Sequence, residues 1–305
     1  MECINILQQE LKNAGIAFVC NEPLAKHTSF EIGGPADLFC TPANIEQLVR
    51  AVQICKSNAI RYYLLGNGSN LLFSDAGFRG VVICTTEMSN QISVTNTCIV
   101  ADAGCSLKSI CQTAAEHSLT GLEFAYGIPG SLGGAVYMNA GAYGGEMKDV
   151  LLQVECLDDT GTIRTLSLDE LELGYRTSIF ERTGWCVLRA TLQLKAGECG
   201  IIQATMEELM DRRREKQPLE YPSAGSAFKR PVGAFAGGLI DQCGLRGFQV
   251  GGAAISNKHC GFIVNMGNAT CQDVLELARQ VSEIVEKEPG FKLEKEIRVV
   301  ESSIV

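Results

Sequence analysis

Apolar side chains along residues 271–287 recur three and four positions apart, at Val274, Leu277, Val281 and Ile284, with charged residues between them. That period lines one face of a helix and predicts an amphipathic helix laid on a core. The stretch "TCQD" opens it, and Thr270 and Asp273 have the spacing of a capping box. The same rhythm runs through Ile4, Leu7, Leu11 and Ala14, through Leu48, Val52 and Cys55, and from Ser106 through Leu107, Ile110, Cys111 and Ala114. It predicts three more helices. A helix over 201–216 and a short one in "AFAGGLIDQCG" complete the set.

Elsewhere the pattern shortens to apolar or alternating runs that read as strands. "SFEIGGPADLFCTP" predicts a strand bent at Gly33-Gly34, and strands continue in "RYYLLGNGSNLLF", "GVVICTT" and "GWCVLRATLQLKAG". "QISVTNTCIVADAG" folds back at Thr95 to Thr97, and "LLQVECLDDTGTIRTLSL" turns at Asp158 to Gly161. Two hairpins predict a mixed or antiparallel sheet and disfavour a doubly wound one. The prolines of "QPLEYPSAGSAF" stop the preceding helix, so a last domain begins there. It carries strands in "FQVGGAAIS", "GFIVNMG" and "FKLEKEIRVV".

Bulk composition narrows the function classes. A chain of 305 residues, 46% hydrophobic and 20% charged, has room for two or three globular domains. A net charge of -9 and a pI near 5.0 give no support to a nucleic-acid or anionic-membrane partner. No signal peptide or apolar run near membrane-spanning length is present, which leads to the expectation of a cytoplasmic protein. The basic run "DRRREK" serves equally as a last helical turn complementing the dipole or as a phosphate contact. Fourteen cysteines without a CxxC pair read as reduced thiols, and three scattered histidines offer no metal-ligand spacing, so no metal is expected.

One stretch changes the picture. Between Gly127 and Gly145 stand seven glycines in 19 positions, where 32 spread evenly over 305 would put about two. Glycine loses the most conformational entropy on folding, so this density needs an odd backbone path or a close approach. "GIPGSLGG" and "GNGSNLL" both depart from the dinucleotide fingerprint of a Rossmann fold, and no Walker motif occurs. What remains are two candidate anion nests, "LLGNGSNLL" and "GIPGSLGGAVYMNAGA", each of which on its own reads more readily as a plain tight turn. Asn67, Ser69, Asn70, Ser131 and Asn139 add hydrogen-bonding side chains to both.

The segments "TSFEIGGPADLF", "GNGSNLL", "GLEFAYGIPGSLGGAVYMNAGAYGGE", "YRTSIF", "REKQPLEYPSAGSAFKRP", "GGLIDQCGLRG" and "KLEKEIRVV" resemble, in order, the UDP-N-acetylenolpyruvoylglucosamine reductase family. They run from Thr28 to Val300, nearly the whole chain. The resemblance implies an α+β fold: a two-subdomain FAD-binding module of the oxidase-like (PCMH/VAO) type, residues 1–85 and 86–214, then an α+β substrate-binding domain, residues 215–305. It implies that NADPH reduces FAD, which then reduces the enolpyruvyl ether to UDP-N-acetylmuramate for the cell wall. Both substrates are small molecules, and a monomer is the favoured state. With no histidine or cysteine in the two turns, the FAD is expected to be non-covalent.

By the same resemblance, cofactor contacts fall on Gly66, Asn67, Gly68, Ser69 and Asn70, on Gly127, Ile128, Pro129, Gly130, Ser131, Gly133 and Gly134, and on Asn139, Ala140 and Gly141. Ser226 falls on the proton donor, which would quench a carbanion left at the α-carbon by hydride addition to the β-carbon. Arg176 falls on the catalytic arginine, a donor for charge gathering on the substrate carboxylate, and Glu296 on the catalytic glutamate. Tyr175, Lys216, Lys229 and Arg230 are the expected substrate contacts, with Lys229 and also Arg213 weaker candidates than Lys216 for the anionic part.

On the residues alone, Ser226 is a turn serine, or a hydrolase nucleophile lacking the GxSxG frame. Arg176 alone is a surface arginine, and Glu296 one member of a charged stripe with Glu294 and Arg298. Arg230 departs from an asparagine common in the family, which leaves its nucleotide contact open. Only 35 residues separate Arg176 from "RRREKQP", which resembles the family's shorter class, without the loop whose tyrosine closes over substrate. The rival readings are a related flavin oxidase and a UDP-sugar-binding module without turnover.

Overall fold

The computed structural model of the chain describes residues 2–302. Two compact units emerge, the first from Met1–Val19, Leu38–Asn67 and Gly80–Arg212, the second from Cys20–Asp37, Gly68–Arg79 and Arg213–Val305.

The first unit has two cores. In one, the helix Ile45–Ser57 is capped by Asn44, whose side chain accepts from Gln47 N, and buries Leu48, Val52 and Cys55 as its period predicts. They meet Leu7 and Leu11 of the helix Glu2–Asn13 and Val81 and Ile83 of the strand Phe78–Cys84. That strand pairs in parallel with Tyr62–Leu65. Ile4 and Ala14, predicted on the same face, are only partly buried.

The other core lies on a five-stranded antiparallel sheet, in the order Ile163–Ser167, Leu151–Leu157, Cys186–Gln193, Cys98–Asp102, Ile92–Thr95. Both predicted hairpins are its outer pairs. Asp158 fixes one turn: fully buried, it accepts from Thr160 N and Oγ1 and from Thr162 N, and it pairs with Arg164. The Thr160 hydroxyl above all holds its carboxyl below the usual range. The helices Leu107–Glu116 and Leu132–Tyr137 bury Leu107, Ile110, Ala114, Leu132 and Val136 in this core.

In the second unit a four-stranded antiparallel sheet runs in the order Ser223–Ser226, Phe262–Asn265, Ala253–Ile255, Gln249–Val250. The helix Cys271–Lys287 begins with the predicted capping box, Thr270 and Asp273 accepting from each other's backbone N–H at 3.0 Å. Asp75 takes two more orphan donors, Cys271 N at 2.7 Å and Gln272 N at 3.1 Å. Val274, Leu277 and Val281 are buried, each stabilising by roughly 1.5–3 kcal/mol. Val285 is buried where the sequence pattern predicts Ile284, and Ile284 is half-buried beside it, because the stripe keeps a spacing of four at that end.

Three strands differ from the sequence pattern, the first being "SFEIGGPADLFCTP", of which only Pro35–Thr41 is a strand. "FQVGGAAIS" is a hairpin: Gly251 has φ of 54°, and a Cβ there would stand 2.2 Å from Asp273 Oδ1. Of "FKLEKEIRVV" only Arg298–Val300 is a strand, paired in parallel with Leu71–Phe73.

The described cysteines are all free, and burial pushes the thiols of Cys55, Cys186 and Cys271 up to about 12, which keeps them protonated and unreactive. Among the described residues no cluster could hold a metal ion, and no helix is long and apolar enough to cross a membrane.

Candidate active site

In the first unit Gly66 and Asn67, which open one glycine-rich turn, meet the other turn. Asn67 Nδ2 donates to Pro129 O at 2.9 Å, and a Cβ at Gly66 would stand 2.2 Å from Ser131 Oγ. Gly66 is thus glycine because another turn lies against it. Ser131 is itself engaged: 2% exposed, it caps the helix Leu132–Tyr137 by accepting from Gly134 N at 3.5 Å. Leu107 N donates to Gly130 O at 3.0 Å and Leu132 N to Cys105 O at 2.8 Å, tying the second turn to the start of the neighbouring helix.

The short polar side chains therefore shape the turns. What they gather is close-packed main chain without a carboxylate at Gly66, Asn67 and "GIPGS", a setting that would suit an anion without basic groups. The residues present fit a dinucleotide such as FAD.

Past the helix the chain enters the hairpin Gly141–Ala142 and Gly145–Glu146 through Asn139, which is 1% exposed with φ of 44°. Ala140, also buried, accepts from Met147 N at 2.9 Å. Gly145 lies on Phe124, where a Cβ would come within 2.6 Å of the ring. Tyr143, 40% exposed at the hairpin tip, carries the Arg212 guanidinium 5.2 Å from its ring centroid.

Arg176 stands beside this hairpin. Gly174 and Thr177 exchange backbone hydrogen bonds of 3.1 and 3.4 Å, closing a two-residue turn with Tyr175 and Arg176 at its tip. Arg176 has φ of 58°, a left-handed conformation that costs an L-residue about 1–2 kcal/mol. Its Nη2 donates to Gly141 O at 3.2 Å, and its guanidinium lies 5.4 Å from the half-exposed Tyr175 ring. Strain of this kind persists where the surroundings over-determine it, as they do at working sites.

In the second unit Ser226 ends the strand Ser223–Ser226. Ser223 is opposite Val264 and Ser226 opposite Phe262, three steps against two, so the strand holds a bulge. Gly225 supplies it with φ of 75°. Beyond it Ala227 N donates to Gly261 O at 2.8 Å, while Ala227 O accepts from Glu296 N at 2.9 Å. Lys229 N donates to Glu294 O at 2.8 Å. The half-buried Ser226 and the Glu296 backbone are therefore one residue apart on a single ladder, a relation that no local pattern in the sequence announces.

Gly68, Ser69 and Asn70 belong to this unit. A Cβ at Gly68 would meet His27 O at 2.2 Å, and Asn70 Nδ2 donates to Glu296 O at 3.2 Å. Ser29, which sequence reasoning did not single out, exchanges two hydrogen bonds with Ser223: its Oγ donates to Ser223 O at 2.6 Å, and its carbonyl accepts from Ser223 N at 3.0 Å.

The expected substrate contacts have separate surroundings. Lys229 is ion-paired with Glu294, Arg230 stacks its guanidinium 4.6 Å from the Phe235 centroid, and Lys216 is exposed at a helix end. Lys258 caps that end by donating to Arg214 O at 2.7 Å.

Comparison with known proteins agrees with both halves of the chain. Residues 36–167 match the FAD binding domain family, and residues 217–300 match the C-terminal domain of UDP-N-acetylenolpyruvoylglucosamine reductase. The reductase of that name from Thermus caldophilus superposes with a TM-score of 0.78 at 40% identity, over 93% of this chain and 98% of that one. A likeness of fold alone extends to Physcomitrella patens BBE-like 1, TM-score 0.50 at 16% identity over 62% of this chain and 44% of that one. The fold is α+β, a flavin-binding module of the oxidase-like type followed by the reductase C-terminal domain. The UDP-N-acetylenolpyruvoylglucosamine reductase of Lachnoclostridium phytofermentans is 50% identical over 302 residues, 97% of each chain. With half of all positions shared from end to end, this chain belongs to the UDP-N-acetylenolpyruvoylglucosamine reductase family.

Proposed function

We propose that the chain reduces UDP-N-acetylenolpyruvoylglucosamine to UDP-N-acetylmuramate in peptidoglycan precursor synthesis, using NADPH and non-covalent FAD. FAD, when bound, supplies the two-electron relay between NADPH and the enolpyruvyl group. The main chain around Gly66 to Asn70, Gly127 to Gly134 and Asn139 to Gly141 would hold it, a reading supported by the packing of short side chains beneath the turns.

We assign the chemistry on the enolpyruvyl group to three residues. Ser226 Oγ–H delivers a proton to the α-carbon; a serine is a weak acid, fit only for so basic a partner. Arg176 stabilises the charge that gathers on the substrate carboxylate, where a guanidinium is the strongest side-chain donor. Glu296 assists as a hydrogen-bonded acid or polarising group. The observation that carries the Ser226–Glu296 pair is the ladder in which Glu296 N bonds to Ala227 O, next to Ser226, and Arg176 is supported by its strained turn beside Gly141.

Tyr175, Lys216, Lys229 and Arg230 are proposed for substrate contact, and of these Tyr175 has the most direct support, stacked beside Arg176. For a flavin module over 1–85 and 86–214 and a substrate part over 215–305 the support is a core drawn from Ile99 to Met206 and another drawn mainly from Ala224 to Ile297, while Leu157, Cys186 and Leu188 join the core of the helix Ile45–Ser57 and Phe30, Ile32 and Leu72 join the last.

The test is Ser226→Ala in stopped-flow absorbance of the flavin. NADPH reduction should be nearly intact, and reoxidation by the enolpyruvyl nucleotide slowed by at least about 10²-fold. Equal loss in both half-reactions makes the serine structural and ends the assignment.

A further inference from the structure

We propose that Asn139 is a positioning residue for Arg176, a role that rests on the reading of Arg176 as catalytic. The argument starts from the backbone. After the helix Leu132–Tyr137, Ala140 N donates to Ala135 O at 2.8 Å and Asn139 N to Val136 O at 3.2 Å. These are the two bonds of a Schellman ending, with Asn139 as its left-handed residue at φ of 44°. Glycine is the ordinary occupant of that position, because it adopts the conformation without strain. In a segment already rich in glycine, an asparagine here needs a reason in its side chain.

That reason is on the other side of the turn. Asn139 Nδ2 donates one hydrogen to Glu146 Oε2 at 2.8 Å and the other to Gly174 O at 3.0 Å, while Oδ1 accepts from Lys148 N at 2.9 Å. Both donors are used, and the residue is 1% exposed. Gly174 opens the turn that presents Arg176, and Arg176 Nη2 bonds to Gly141 O, two residues beyond Asn139. The strained arginine is therefore held at both ends, by its guanidinium on the hairpin and by its turn on the Asn139 amide. Ser178 Oγ donates to Tyr137 O at 2.6 Å and braces the same turn from behind.

The FAD reading of Asn139 concerns its main chain, which a glycine retains; the side chain, spent on Glu146, Gly174 and Lys148, acts through Arg176. Asn139→Gly keeps the Schellman backbone and removes only the amide, which separates the tether from the fold. With full-length enzyme loaded with FAD, the variant is expected to melt below the native temperature, because three buried hydrogen bonds are lost against a small gain in left-handed backbone, yet to keep its FAD and be reduced by NADPH within about twofold of native, while reoxidation by the enolpyruvyl nucleotide at saturation slows about 10-fold to 10²-fold, the cost of a misplaced group. In the Arg176→Lys background the same change should add little, because it acts through the residue already altered. Native reoxidation in Asn139→Gly, or equal slowing of both half-reactions with loss of FAD, overturns the inference. If Arg176→Lys itself reoxidises at the native rate, the reading of Arg176 fails instead, and the two failures are told apart.

Discussion

Asn70 and Glu296, 226 residues apart in sequence, are joined on the second unit's backbone: the Asn70 amide donates to Glu296 O at 3.2 Å, and Asn70 O accepts from Arg298 N at 3.0 Å. Asn70 brackets Glu296 on one side while Ala227 O holds its N–H on the other. Asn70→Ala removes the first of these bonds and is expected to destabilise the protein by about 1 kcal/mol in urea unfolding. Reoxidation should slow more than reduction by NADPH. Equal slowing would place Asn70 with the flavin and detach it from Glu296.

Gly225 makes a sharper case, because its substitution isolates backbone from packing. A Cβ at this position meets nothing within 4 Å, yet φ is 75°. Gly225→Ala therefore has space and no conformation to fill it, and should cost about 1–2 kcal/mol. The bulge ahead of Ser226 would flatten to relieve the strain and turn the hydroxyl to the other face of the sheet. The expected signature is the Ser226→Ala pattern, slow reoxidation with ordinary NADPH reduction. A variant with native kinetics would mean that the bulge does not aim the serine.

How much of this was legible beforehand depended on the range of the interaction. Helices with a clear apolar face, such as Ile45–Ser57 and Leu107–Glu116, and hairpins with their own turn chemistry at Thr95 to Thr97 and Asp158 to Gly161, were readable because the determining residues are neighbours. The grouping of 20–37 and 68–79 with 213–305 was not, since it depends on pairings such as Arg298 with Leu71. For the site, the glycine clusters were legible as unusual backbone, and three of them, Gly66, Gly68 and Gly145, are where chain meets chain. The tethers made by Asn70, Ser29 and Asn139 span tens to hundreds of residues and leave no local periodicity to read.

Arg176 offers a test of strain held for function. Arg176→Ala and Arg176→Gly both lose the guanidinium and should reduce turnover by about 10²–10³-fold, as removal of a transition-state donor does. Their stabilities should diverge, because glycine alone accepts φ of 58° freely. The glycine variant is expected to be more stable than the alanine variant by about 1 kcal/mol in denaturant midpoints. Equal midpoints would mean that the turn relaxes and stores no strain.

His259 carries the pH dependence. Its ring is half-buried, edge-on to Phe262 with centroids 5.0 Å apart, and Nδ1 accepts from Gly261 N at 3.0 Å. That bond requires a lone pair on Nδ1, so the proton of the neutral ring is on Nε2, and protonation would set two donors against each other. Burial first, and then the charge of Arg246, push its pKa below the ordinary 6.5. The sign follows: below pH 6.5 the unfolded chain takes up a proton that the folded one refuses until lower pH, so stability falls with pH in that window. His259→Gln keeps an acceptor for Gly261 N and has nothing to titrate. Urea midpoints between about pH 7.5 and 5.5, above the range where carboxylates titrate, should show the native protein losing ground to the variant as pH falls. A difference between the two that stays constant over those two units would sink the assignment.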